Sequence, residues 1–329
     1  MHINTLLSSF ARVTRNVTVA LLTSLLAVSA IAQDFPNKPI RIIVPAAPGG
    51  ALDLTSRLIA MRMAEKLGQQ VLVDNRAGGD TLIGTRLAKE APADGYTILA
   101  QAPGFSLLPY IKIDPGYDPV KDFTGLGNMV TLPFLILVGA DQPDRTLKDL
   151  IARAKTTVLN YATGGPGTPH QVAAAKFLAA AGVAQATEIK YKGAGPALPD
   201  IIAGRVDFGF DAYIGTKGFI DGGRMRPLAV TTASRLAPLP NVPTFIESGV
   251  NMTHSLWLGL VVRTGTPRAA IQRLSEALKY AQEGKDIVER FRAEGSDPSF
   301  TSPEEWTEYL RKEYVEMGKL STDLKFEKQ

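Results

Sequence analysis

The spacing of hydrophobic positions switches between strand-like and helix-like along most of the chain. Residues 40–44 form an apolar run typical of a buried strand, and a Pro-Gly-Gly turn follows at 48–50. Four apolar residues then recur at helical spacing: Leu54, Leu58, Met61 and Ala64. The pattern predicts an amphipathic helix that buries these four residues and ends at Gly68.

The same alternation continues through the next 50 residues. Apolar runs at 71–73 and 96–100 predict two more strands, and a helical pattern lies between them. Strands joined by helices of this length form parallel sheets, in which ligands bind beyond the carboxyl ends of the strands. The loops at 46–50 and 101–106 are therefore predicted to share one rim.

A second region of alternation begins after a long apolar passage at 123–140, which predicts two strands and entry into a second domain. Thr146 suits a helix N-cap, and a strand at 159–162 leads into a Gly-rich loop. Thr168 and Pro169 then fit the cap and first position of another helix. Further on, the pattern predicts a Gly-rich turn at 191–196, a strand at 206–211 and terminal helices at 267–282 and 303–320.

Three Gly-rich turns thus open helices in the two regions. Backbone N–H groups at a helix N-terminus have no partner inside the helix, so they favour anions. Each turn alone is also consistent with a simple chain reversal. Taken together, they predict a ligand cleft that is lined by backbone donors.

The first 32 residues have the pattern of a secretory signal peptide. Arg12 and Arg15 precede a mostly apolar run at 17–30, and Ala30 and Ala32 form an A-x-A cleavage pattern. Cleavage is expected near Ala32/Gln33. Because the sequence has no cysteine, it has neither a disulfide framework nor a lipid-modifiable Cys at this point, and we expect a periplasmic protein.

The net charge excludes a nucleic-acid partner. The sequence holds 36 basic and 32 acidic residues, and removal of the signal with Arg12 and Arg15 leaves 34 against 32. So small an excess gives no basic surface for nucleic acid. The length of 329 residues, with 45% hydrophobic residues, is enough for two domains.

Motifs for metal, cofactor or nucleophilic chemistry are missing from the sequence. His170 and His254 have no Cys, Asp or Glu at ligand spacing, so no metal site is expected. The sequence contains no G-x-S-x-G, H-E-x-x-H or P-loop lysine pattern, and no cofactor is predicted.

Eight short blocks, in one collinear order from Phe35 to the C-terminus, carry a family resemblance. They are FPNKPIR at 35–41, VPAAPGGALD at 44–53, DNRAG at 74–78, ADGYT at 93–97, YKGAGPA at 191–197, GRVD at 204–207, LPNVPT at 239–244 and WLG at 257–259. With these blocks the chain resembles the substrate-binding receptors of the tripartite tricarboxylate transporter family, also called Bug receptors.

The resemblance implies an α/β fold of the two-lobed periplasmic binding protein type, type II-like. Each lobe is expected to be a mostly parallel sheet flanked by helices, with the ligand cleft between the lobes. Since such chains cross to the second lobe and return, residues 33–129 plus 250–329 are expected to form domain 1. Residues 130–249 would form domain 2.

The resemblance also implies which residues hold the ligand. In the first lobe they are Ala46, Ala47, Gly49, Gly50 and Asp53. In the second lobe they are Thr163, Gly165, Gly167, Thr168, Lys192, Gly193 and Asp211. For Asp53 a role in complementing the helix dipole is equally consistent with the sequence. Lys192 is also consistent with a solvated loop residue.

Two positions depart from the family pattern. The family usually has Phe where this chain has Ala46, and His where it has Gln171. The loss of a ring leaves room in the cleft, and Gln cannot become a cation. We therefore hypothesise that the ligand is bulkier than small aliphatic diacids, such as an aromatic acid.

The predicted function is a monomeric receptor that captures a small di- or tricarboxylate, or an aromatic acid, and delivers it to the membrane permease subunits of a transporter. An exported hydrolase that uses Asp53 or His170 as a base is one alternative. A sensor that reports ligand occupancy to a membrane signalling partner is another. A receptor returns its ligand unchanged, whereas an enzyme consumes it.

Overall fold

The computed structural model describes residues 35–165, 167–191, 195–293, 295, 296, 298, 300–323, 326 and 328. The predicted signal peptide lies outside these residues. Residues 38–329 form one compact unit.

The described residues form nine strands. They are β1 (Ile40–Val44), β2 (Val71–Asn75), β3 (Thr97–Gln101), β4 (Phe123–Gly139), β5 (Leu159–Thr163), β6 (Ala186–Lys190), β7 (Phe208–Ala212), β8 (Met225–Val230) and β9 (Ser255–Arg263). The strands form one sheet in the order β2-β1-β3-β9-β4-β7-β5-β6, and β8 also pairs with β4.

Ten α-helices accompany these strands in the described part of the chain. They are α1 (Ala51–Leu67), α2 (Leu82–Glu90), α3 (Gly104–Ile111), α4 (Leu147–Ala154), α5 (Pro169–Ala181), α6 (Leu198–Ile202), α7 (Tyr213–Asp221), α8 (Arg268–Glu283), α9 (Lys285–Ala293) and α10 (Pro303–Asp323). The predicted caps are confirmed: Gly68 ends α1 in a left-handed conformation, Thr146 forms a capping box, and Thr168 caps α5 ahead of Pro169.

The strand β4 joins two half-sheets. Up to Pro133 it pairs with β9 in the first half-sheet, which also contains the parallel strands β2, β1 and β3. From Phe134 onward it pairs with β7 and β8 in the second half-sheet, where β7, β5 and β6 run parallel. The prediction of two strands at 123–140 is therefore wrong. The passage is one strand with register shifts near Gly125 and Asn128, which let it bend without ending.

The helix α1 buries a different face from the one predicted. Ile59, Met63 and Leu67 are buried together with polar Thr55 and Ser56. The face that was predicted to be buried is largely exposed to solvent: Leu54 is 43% and Met61 is 53% exposed. The prediction failed because apolar residues occur on both sides of this helix, so the residue pattern alone did not distinguish the buried side.

Apolar packing joins the two half-sheets away from β4. Leu108 and Ile111 of α3 form one buried cluster with Val172 of α5 and Met317 of α10. The helix α3 follows β3 of the first half-sheet, whereas α5 follows β5 of the second. Each fully buried aliphatic side chain contributes roughly 1.5–3 kcal/mol, so this cluster holds the two half-sheets in the observed arrangement.

Candidate functional site

The turn between β1 and α1 presents free backbone donors. Residues 47–50 are exposed, and Gly49 has φ +88°, which glycine adopts at no steric cost. Gly50 occupies the N-cap position and has no side chain to cap the helix. Among the described residues, none accepts a hydrogen bond from the N–H groups of Gly50, Ala51 and Leu52. Free N–H groups at a helix N-terminus favour an anion, so the geometry of this turn is compatible with the predicted role.

Asp53, in the first turn of the helix α1, stabilises the loop between β1 and α1 through hydrogen bonds. It is 2% exposed, and its Oδ2 accepts a hydrogen bond from the Gly49 N–H at 2.9 Å. Its Oδ1 accepts from Asn75 Nδ2 at 3.0 Å and pairs with Arg57 Nε at 3.0 Å. Burial raises the pKa of Asp53, but the bonds from Arg57, Gly49 and Asn75 outweigh burial and hold the pKa below 3.8. The carboxylate stays ionised and its two oxygens are already engaged.

Asn75 and Arg57 complete the support, and the site prediction did not include them. Asn75 Nδ2 also donates to the Ala46 carbonyl at 3.1 Å, and Arg57 donates to Asn75 Oδ1 at 2.8 Å. Two signals in the sequence could have found them. Asn75 lies in the family-resemblance block at 74–78, and Arg57 stands four residues after Asp53 on the same helix face.

We expect the Asp53→Asn variant to lose about 1–3 kcal/mol of unfolding free energy at pH 7, because one amide group would face donors where a carboxylate oxygen now accepts. Since the folded pKa is lowered, the contribution of the carboxylate is present above pH 3.8 and is lost as pH falls through the folded pKa. Urea unfolding at pH 7 and at low pH measures the difference. The exposed Glu289→Gln serves as a control with little effect, and equal losses in the two variants would contradict the bracing role.

The turn between β5 and α5 uses most of its own donors. The Gly165 N–H donates to Thr163 Oγ1 at 3.1 Å, and the Gly167 N–H donates to Gln171 Oε1 at 3.0 Å. The Thr168 hydroxyl donates to the Gly165 carbonyl at 2.7 Å. These four predicted site residues are thus brought together, but the N–H groups of Gly165 and Gly167 are satisfied within the loop. Their contact with a ligand stays a prediction.

Glu188 on β6 anchors this second turn. It accepts from Thr163 Oγ1 at 2.6 Å and from Gln171 Nε2 at 3.1 and 3.3 Å. Gln171 therefore links the Gly167 amide to a carboxylate through its two amide atoms. Sequence reasoning named Gln171 only as a departure from the family, and nothing in the sequence indicated that Glu188 lies beneath the turn.

Asp211 lies next to this turn at the end of β7. Its Oδ1 accepts from the Ala212 N–H at 2.7 Å and lies 3.5 Å from His170 Nε2. The His170 Nδ1 is buried and has no hydrogen-bond partner among the described residues. The predicted residues Lys192 and Gly193 lie outside the described residues.

The strand order places both turns at the carboxyl ends of parallel strands. β1 and β3 are parallel neighbours, so the loops that follow them end at one edge, as predicted. The loop after β3 also reaches the second turn: a Cβ on Gly104 would lie 3.2 Å from the Gly167 carbonyl oxygen. The loop after β3 thus lies beside the first turn at the sheet edge and touches the second.

None of the helices in the described part of the chain combines the length and apolar character that crossing a membrane requires. Solved structures resemble the chain closely. A structure of the periplasmic binding protein BugD is 30% identical with a TM-score of 0.78, covering 90% of this chain and 100% of its own. An R. palustris protein solved with adipate is 30% identical with a TM-score of 0.80, at 90% and 100% coverage.

These likenesses and the two half-sheets joined by β4 define the class: an α/β, two-lobed periplasmic binding protein, as predicted. The sequence model of TctC, the tripartite tricarboxylate transporter family receptor, matches residues 55–325. A UPF0065 protein from the tcbD-tcbE intergenic region of Pseudomonas sp. (strain P51) is 36% identical over 290 residues, which are 87% of this chain and 86% of that protein. The chain belongs to this receptor family of solute-binding proteins.

Proposed function

We propose that the protein is a periplasmic receptor that captures a small organic carboxylate between its lobes and delivers it to the permease of a tripartite tricarboxylate transporter. The single observation that carries the proposal is the set of unpaired N–H groups at Gly50, Ala51 and Leu52. The adipate in the R. palustris relative supports the ligand class. Export by cleavage near Ala32/Gln33 is part of the proposal.

The proposed lobes are residues 33–129 plus 250–329 and residues 130–249. The support comes from the strands: β4 leaves the first half-sheet at Pro133, and β9 re-enters it at Ser255. The pairing of β4 with β7 and β8 begins at Phe134. The chain between these points supplies the second half-sheet and its turn.

The strength of binding requires both lobes. Three charge-assisted hydrogen bonds from the first turn contribute roughly 1.5–3 kcal/mol each. Micromolar affinity needs a net of about 8 kcal/mol, after an association cost of about 4–15 kcal/mol. The first turn alone is therefore too weak, and we include the second-lobe residues Thr163, Gly165, Gly167, Thr168, Lys192, Gly193 and Asp211 in the proposed site.

A hydrolase with Asp53 as its base has less support. A general base must accept a proton, and the lowered pKa together with the bonds to Gly49, Asn75 and Arg57 opposes this at Asp53. A sensor would use the same ligand chemistry. The membrane protein that cross-links to the ligand-loaded receptor in cells distinguishes a transporter subunit from a signalling protein.

Titration of the mature protein with succinate, adipate, citrate and benzoate tests the proposal. We expect saturable one-to-one binding by calorimetry for at least one acid, a smaller radius of gyration in X-ray scattering, and recovery of the acid unchanged by NMR. Consumption of the acid would favour the enzyme. Absence of saturable binding for every acid would overturn the carboxylate class.

The Ala46→Phe variant tests the proposed room for an aromatic acid. Ala46 is half-buried beside the first turn, and a ring there would fill the space. We expect benzoate affinity to fall at least about tenfold, which is about 1.4 kcal/mol, with smaller changes for succinate. Ala180→Phe, on the exposed end of α5, is the control. A higher affinity for benzoate in Ala46→Phe would contradict the hypothesis.

A further inference from the structure

A cavity of about 480 Å³ lies between α5, α10 and the strands β4 and β9. Its walls include Thr131 of β4, Lys176 of α5, Ser255 of β9, and Tyr309 and Glu313 of α10. None of the predicted ligand residues that the structure describes contributes to it. Its volume falls within the range of small-molecule pockets, roughly 300–1,000 Å³.

Two charged residues of the cavity wall, Lys176 and the exposed Glu316, have no hydrogen bond or ion pair among the described residues. Lys176 is the half-buried one of the two. The other lining lysine, Lys312, is 72% exposed and lies 3.8 Å from Glu308. The charge of Lys176 acts on Glu313 through space but without contact, so the N–H donors of Lys176 are available for an anion.

The buried carboxyl group of Glu313 does not form an ion pair with Lys176. Its Oε2 accepts from Ser106 Oγ at 2.7 Å, and its Oε1 accepts from Trp257 Nε1. Burial raises the pKa of Glu313 to about 7. Burial and the charge of Lys176 lower the pKa of His254 to about 3, so this neighbour stays uncharged and does not compete with Lys176.

We propose that this cavity is a second ligand site, which binds a small monocarboxylate through an ion pair with Lys176. The half-buried cation of Lys176 matches one carboxylate, and the exposed carboxylate of Glu316 in the same wall disfavours a second negative group. The hydroxyl and methyl groups of Thr131 and Thr231, with Met317 and Tyr309, form walls for a short aliphatic body. A ligand here would contact β4 and β9 of the first half-sheet, together with α5, the helix that follows β5 of the second.

Intrinsic tryptophan fluorescence reports on this cavity. The sequence has two tryptophans, and both lie behind its wall. Trp257 donates to Glu313, and the Trp306 ring stacks on Tyr309 with centroids 5.0 Å apart. The probe is sodium butyrate, with sodium chloride at equal ionic strength as the reference. The protein carries Gly50→Asp, which places a negative charge at the first turn and removes that site from the titration.

In this background we expect a saturable fluorescence change with butyrate. Lys176→Met should weaken it at least about tenfold, which is the loss of about 1.4 kcal/mol. Lys176→Arg should retain most of the binding, and the exposed Lys148→Met should leave it unchanged. Circular dichroism checks folding of every variant. Equal affinity in Lys176→Met and Lys148→Met would overturn the proposal, as would the absence of a saturable change up to 0.1 M butyrate or a change that chloride reproduces.

Discussion

Replacement of Gly50 with aspartate is expected to weaken carboxylate binding at least tenfold without loss of stability. Gly50 has φ −78° and ψ 167°, a conformation open to any residue, and a Cβ there would lie 3.8 Å from its nearest neighbour, the Ala47 carbonyl oxygen. An aspartate at the N-cap stabilises a helix by a few tenths of a kcal/mol relative to glycine. Its charge would repel the ligand by about 4 kcal/mol at ~4 Å and an effective dielectric constant of ~20.

The matched control for this variant is Gly50→Asn, which caps the helix equally well but carries no charge. Calorimetry with the panel acid that binds wild type most tightly gives the affinities, and urea unfolding gives the stabilities. Because the Asn side chain can accept from one of the donor N–H groups, we expect Gly50→Asn to bind more weakly than wild type but more tightly than Gly50→Asp, which adds the charge repulsion. Equal losses of affinity in both variants would mean that side-chain bulk matters and that the anion lies elsewhere.

Protein stability should fall as the pH rises from about 4.5 to about 7, because of Glu313. Burial raises its pKa to about 7 from an ordinary value of 4.5. The folded state therefore binds more protons than the unfolded state in this interval, and the unfolding free energy decreases with pH. At 1.36 kcal/mol per pKa unit, the total contribution is about 3 kcal/mol. Above pH 7 the contribution is lost and the curve is flat for this group.

The Glu313→Gln variant should not show this decrease, since its side chain does not titrate. Urea unfolding at pH 5, 6, 7 and 8 measures the difference, which should favour the variant at pH 8. The charged or titratable groups that face Glu313 are Lys176 on α5 and Tyr309 and Glu316 on α10. Glu316→Gln, one turn further along α10 and exposed, is the control. Parallel pH curves for Glu313→Gln and wild type would contradict the effect.

The sequence predicted the elements that depend on local chemistry. Gly68, Thr146 and Thr168 end or begin helices as expected, because their effect on the backbone needs no distant partner. The turn at 48–50 also lies where the spacing indicated. The sequence alone was therefore enough to predict backbone N–H donors at the end of β1.

The hydrogen bonding of the Gly-rich turn between β5 and α5 could not be predicted from the sequence in the same way. A Gly-rich loop before a helix predicts free N–H groups, but Gly165 and Gly167 donate to Thr163 and Gln171. Gln171 takes this position because Glu188, 17 residues further along, holds its amide nitrogen. Such a partner comes from a neighbouring strand of the sheet, and no local pattern indicates which side chain will reach it.

The continuity of β4 restricts how the lobes of this receptor can separate. The strand bonds to β9 as far as Pro133 and to β7 and β8 from Phe134, so one backbone belongs to both half-sheets. Sliding would break these ladders, whereas a twist of a few degrees per residue preserves them. Domain motion should thus be a pivot about this crossing, with amplitudes that grow with distance from it and are greatest at the outer rims of β2 and β6.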